Sequence, residues 1–151
     1  MKSRNSAKIL GLLALVLGIV AICFWFGPAF DNVGHPYNLM QTAFAIEDHG
    51  YPTVWTLVIA FVILIIGSLL GAIVPYFRKT GALVVGGLSF LCLLGGGIMT
   101  LLVKSFFLAV NPYGEVYSSF GLGSGTITSA VFAFLAAIFV LATLNLARKQ
   151  D

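Results

Sequence analysis

The sequence predicts an all-α integral membrane protein: a four-transmembrane-helix bundle with a short amphipathic helix in its first outer loop. Three observations predict it. The chain of 151 residues is 60% hydrophobic and only 9% charged, whereas soluble domains carry roughly 25% charged residues. Four apolar runs are each long enough, at 1.5 Å per residue, to cross a ~30 Å hydrocarbon core. The basic residues cluster on alternate connections, as multi-pass proteins arrange them. One domain spanning 1–151 accounts for the whole length.

The first span, about 8–27, is ILGLLALVLGIVAICFWF and its flanks, preceded by the basic segment MKSRNSAK. The same order opens a signal peptide. No A-x-A site follows, however, and Ile22 stands before Cys23 where lipoprotein processing requires a small residue. An uncleaved helix is therefore expected. The second span, about 53–76, starts after Pro52, a residue suited to the first helical position, and Pro75 ends it. Arg78 to Gly81 form a tight connection that makes the second and third spans antiparallel neighbours. The third span covers about 82–104 and can continue through SFFLAV. The fourth covers about 125–147.

Seven of the eight basic residues, Lys2, Arg4, Lys8, Arg78, Lys79, Arg148 and Lys149, fall on one side of this plan. Asp31, Glu47, Asp48 and Glu115 fall on the other. The basic side is expected to be cytoplasmic, with both termini inside a bacterial plasma membrane and loops 28–52 and 105–124 outside. Lys104 is the exception, expected to snorkel as an interfacial anchor or to pair with Glu115 or a carboxylate of the first outer loop. Phe24, Trp25, Phe26, Tyr51, Trp55, Phe106, Phe107, Tyr113, Tyr117 and Phe120 gather at the outer level and read mostly as an aromatic belt.

Helices in lipid associate through small residues, because lipid tails are as apolar as leucine. Gly67 and Gly71 form a GxxxG. Ala7–Gly11 and Ala14–Gly18 pair in the first span, Cys92–Gly96 in the third, and Ser129, Ala133 and Ala137 line the fourth. Gly95, Gly96 and Gly97 in mid-span predict a very close helix crossing. Packing within one chain is the expectation. No Asp, Glu, Arg or His lies in the core of a span, which argues against a proton pump, a haem protein with axial histidines or a transporter with a membrane carboxylate.

Specificity is expected in the outer loops. Asn38 and Gln41 have capping-box spacing, and Leu39, Met40, Ala43, Phe44 and Ile46 follow at helical intervals, predicting a surface or capping helix over about 38–49. The candidate interaction residues are His35, Pro36, Tyr37, Phe44, Glu47, Asp48, His49, Pro112, Tyr113 and Phe120. An echo at an offset of 76 relates Pro36-Tyr37 through Phe44 to Pro112-Tyr113 through Phe120. At the same offset Gly11-Leu12 meets Gly87-Leu88, and Leu15 and Leu17 meet Leu91 and Leu93, although leucine and glycine matches are common in apolar spans. Asp31, His35, Glu47, Asp48 and His49 are metal-ligating types, but their spacing fits no known site, and no metal or cofactor is expected. No nucleophile constellation stands out, and no basic patch with interleaved aromatics suggests nucleic acid.

In topology alone the plan resembles that of claudin-like and other small tetraspan proteins, without the tryptophan-and-paired-cysteine signature of claudin first loops. An accessory or scaffold subunit is expected, with membrane lipid and other integral membrane proteins or further copies as partners. The alternative is a homo-oligomeric channel or transporter for a small solute.

Overall fold

The computed structural model describes residues 2–31, 37–45, 50–111 and 118–149. Four of its helices are long and apolar enough to cross a membrane. They are α1 (Lys2–Cys23), α3 (Trp55–Ile73), α4 (Lys79–Leu101) and α6 (Ser124–Arg148). Two short helices, α2 (Leu39–Phe44) and α5 (Val103–Val110), lie at the loop end. So do two two-residue strands, β1 (Phe30–Asp31) and β2 (Gly121–Leu122). α1 packs beside α3 and α6, and α4 beside the same two, so consecutive long helices are neighbours around a ring.

Helix limits differ from the spans read by hydropathy. α1 begins six residues before the predicted span, since nothing in KSRNSA breaks a helix; apolarity marks where a bilayer can begin, not where hydrogen bonding does. α3 starts at Trp55, with Val54 at its N-cap, so Pro52 stands outside the helix rather than at its first turn. The run continuing past Lys104 is helical but interrupted: Leu102, at φ −85° and ψ 12°, separates α4 from α5.

A single rule organises the core. The buried residues of α1 and its final turn are Ala7, Gly11, Ala14, Gly18, Ala21 and Trp25, alternating steps of four and three. α4 and α5 continue the same beat through Ala82, Gly86, Ser89, Leu93, Gly96, Thr100, Val103 and Phe107. That is the 3.5-residue repeat of helices that wind around one another with a left-handed twist. The positions between are equally apolar but exposed, for example Ile9, Leu12, Leu88 and Leu91. Small residues predominate along the seam, with Trp25, Leu93, Val103 and Phe107 as its larger members.

The small residues let backbones approach. A Cβ on Gly18 would stand 2.6 Å from Ser68 Cβ, on Gly67 2.9 Å from Cys92 Cβ, and on Gly71 2.8 Å from Val140. Gly11 closes on Pro75, Gly96 on Leu64 and Gly97 on Phe134. Ala133 and Ala137 are buried, and the Ser129 hydroxyl donates to the Ala21 carbonyl at 2.8 Å. Gly95 departs from this pattern. Nothing lies within 4 Å of its Cβ position, so the closeness expected of the Gly95–Gly97 run holds only for its last two members. These contacts all join helices of one chain.

Buried hydroxyls donate to backbone carbonyls, within a helix or across to a neighbour. Ser68, Thr100 and Thr143 donate to carbonyls one turn back in their own helices, and Ser89 donates across to Gly67 at 2.7 Å.

Candidate functional site at the loop end of the bundle

The two long connections meet at the end of the bundle away from the termini, and glycines let them do so. Gly27 follows the 3-10 turn Phe24–Phe26 that finishes α1, and Gly125 lies in the first turn of α6. A Cβ on Gly125 would stand 2.5 Å from the Gly27 carbonyl carbon, and one on Gly123 would stand 2.2 Å from the Pro28 oxygen. Both distances are impossible for a side chain. The contact brings Phe30 opposite Leu122 and Asp31 opposite Gly121 in an antiparallel pair. The Ala29 carbonyl takes two donors, Gly123 N–H at 2.9 Å and the Thr126 hydroxyl at 2.8 Å. The connections are thereby fastened to each other and to α6.

α2 is placed by the same segment. Leu39 N–H donates to the Gly27 carbonyl and Ala29 N–H to the Tyr37 carbonyl. The expected capping box forms: Gln41 N–H donates to Asn38 Oδ1 at 2.8 Å, and Asn38 N–H to Gln41 Oε1 at 3.1 Å. α2 buries Leu39, Thr42 and Ala43 and packs on α3. It is shorter than the helix predicted over 38–49. Val54 N–H takes the Ala43 carbonyl at 2.8 Å, and the Thr53 hydroxyl takes that of Phe44. Those are the acceptors a longer helix would give to its own later N–H groups. Ala45 turns the chain away with φ +99°.

Beneath α2 and the strand pair lies an aromatic core, not a belt. Trp25, Phe30 and Phe107 are at most 1% exposed. Trp25 meets Phe61 at 5.0 Å, Phe30 meets Phe107 at 5.7 Å and Phe120 at 6.4 Å, and Tyr51 meets Phe107 at 5.6 Å. Such separations are those of attractive tilted and edge-to-face ring pairs. The Trp25 indole N–H has no acceptor among the described residues. Phe26 and Trp55 remain exposed around the rim, as a belt requires.

Lys104 has a task the sequence reading missed. Its ammonium donates to the Ser118 carbonyl and, at 3.0 Å, to that of Phe120, tying α5 to the approach to β2. The short spacing between a lone lysine and a glycine-rich loop was the available signal.

Of the candidate interaction residues, Tyr37, Phe44 and Phe120 are placed at this end: Phe44 exposed beside Phe61, Tyr37 and Phe120 half-buried. His35, Pro36, Glu47, Asp48, His49, Pro112 and Tyr113 lie outside the described residues. The described parts of the offset-76 echo differ in structure, since Phe44 ends a helix whereas Phe120 precedes a strand. Among the described residues no group of three or more His, Cys, Asp or Glu side chains comes together, and Cys23 and Cys92 are both free thiols. An open groove of about 440 Å³ flanks the strand pair, lined by Pro28, Phe30, Asp31, Leu122, Gly123 and Ile127 among others. Among the described residues, the groove presents the Phe30 ring and the Asp31 carboxylate. Compared with known proteins, the chain matches no protein-family model, no curated protein and no solved structure.

Proposed function

We propose that this chain is a multi-pass plasma-membrane protein that serves as an accessory or scaffold subunit, recognising another integral membrane protein through its loop end. The observation that carries the reading is the use of the small-residue seams inside the chain. With those faces occupied and the buried hydroxyls bonded to backbone carbonyls, neither a polar path nor a vacant GxxxG face supplies a function in the spans. The fastened loop end, by contrast, presents Phe44, Gln41 and the groove beside Asp31 at its surface. The distribution of basic residues supports loops outside and termini in the cytoplasm.

One observation favours the second reading, self-association into a channel or transporter. Gly87 and Gly95 lie two turns apart on α4 with nothing within 4 Å of either Cβ position, a place where another helix could approach.

Extraction in mild detergent and mass measurement of the intact particle separate the two. The scaffold reading predicts a foreign subunit in fixed proportion to this chain. A closed ring of identical chains establishes the channel reading instead, and a bare monomer contradicts both.

A further inference from the structure

At the end of the bundle that carries the termini, a groove of about 380 Å³ runs between α1 and α3, lined by Lys8, Ile9, Leu12, Ala72, Ile73 and Tyr76. Its size is that of small-ligand sites, roughly 300–1,000 Å³. Its chemistry is divided. Ile9, Leu12 and Ile73 form apolar walls that are 41–59% exposed, so they face whatever surrounds the bundle. The Lys8 ammonium stands 5.4 Å from the centre of the Tyr76 ring, within the reach of a cation–π contact. That contact holds the charge at one end of the groove.

Lys8 has no carboxylate partner among the described residues. The described segments at this end carry Arg4, Arg78, Lys79, Arg148 and Lys149 as well and, among the described residues, no acidic side chain. A fixed cation at the end of an exposed apolar trough, in a positive field, complements a ligand with an anionic head and a hydrocarbon tail. We propose that this groove binds one anionic phospholipid, its phosphate against Lys8 and an acyl chain along Ile9, Leu12 and Ile73. The inference rests on the membrane reading above. Tyr76 is a positioning residue, holding the ammonium over the groove.

The test uses the full chain in nanodiscs of equimolar phosphatidylglycerol and phosphatidylcholine, with retained lipids counted by native mass spectrometry. One phosphatidylglycerol is expected to stay bound in preference to phosphatidylcholine. Lys8→Gln should lower its retention about fivefold, the effect of one lysine near an anionic surface, and Lys8→Arg should restore it. Leu12→Trp, which fills the trough without touching a charge, should also displace the lipid. Lys79→Gln removes the same charge from the same end without touching the groove and should change retention clearly less than Lys8→Gln does. Equal losses in Lys8→Gln and Lys79→Gln, equal retention of the two lipids, an unaffected Leu12→Trp, or displacement by millimolar inorganic phosphate would each overturn the site. Failure of the chain to enter nanodiscs at all overturns the membrane reading instead.

Discussion

Glycine has two different meanings in this chain, and single substitutions distinguish them. At Gly125 a methyl group would have to share space with the Gly27 backbone, 2.5 Å away, and neither backbone can swing aside as a flexible side chain would. Gly125→Ala is therefore expected to cost at least about 1–3 kcal/mol, the range for forced overpacking. At Gly95 the same methyl group meets nothing, and alanine's helix preference, worth about 1 kcal/mol, acts unopposed. Gly95→Ala should be neutral or stabilising. Thermal unfolding in detergent, followed by tryptophan fluorescence, checks both, since Trp25 sits in the core that Gly125 supports. The sequence placed Gly95, Gly96 and Gly97 in one class because all three share a run. Only the helical phase, a matter of 100° per residue, separates them.

At the scale of elements, the spans were legible and their seams only partly so. Four uninterrupted apolar runs declare themselves without any pattern. The seam in a bilayer-type bundle, however, is written in side-chain size. Ala7, Ala14 and Ala21 are buried while Leu12, Val16 and Ile19 are exposed, the reverse of what hydrophobic periodicity assumes. Pairwise reading found Ala7–Gly11 and Ala14–Gly18 but not the single four-three stripe that runs on to Trp25. The capping box at Asn38 was legible because its spacing is local. The strand pair was not: its two-residue strands carry no periodicity, and Ala29 and Thr126 meet across 97 positions of sequence. Density of glycine in GLGSG was the one available hint. The role of Lys104 belongs to this scale too. Lys104→Met keeps the apolar stem but removes both carbonyl contacts, so limited proteolysis should cut within 105–124 several-fold faster while the unfolding temperature of the bundle changes little. An unchanged cleavage rate would show that the lysine is an interfacial anchor after all.

At the scale of the whole molecule, the bundle is asymmetric end to end. One end is a simple turn, Arg78, with basic termini around it; the other is a constructed cap of two strands, two short helices and an aromatic core. The proposed orientation of these ends rests on the charge distribution, and labelling measures it directly. In a chain with Cys23→Ser and Cys92→Ala, a cysteine introduced at Ser118 should react with a membrane-impermeant maleimide added to intact cells. One at Thr80 should react only after lysis. The opposite pattern would invert the proposed topology and place the cap in the cytoplasm.

The proposed function places recognition at the cap and not on the helix faces. Site-specific photocrosslinking in living cells tests it most directly, with the photoreactive side chain placed at Phe44 or Ser119 on the cap, or at Leu91 on the exposed face of α4 between Gly87 and Gly95. A scaffold subunit that binds through its cap gives one discrete adduct with a foreign membrane protein from the cap positions and no protein adduct from Leu91. A ladder of self-multiples from Leu91, with nothing from Phe44 or Ser119, would contradict it.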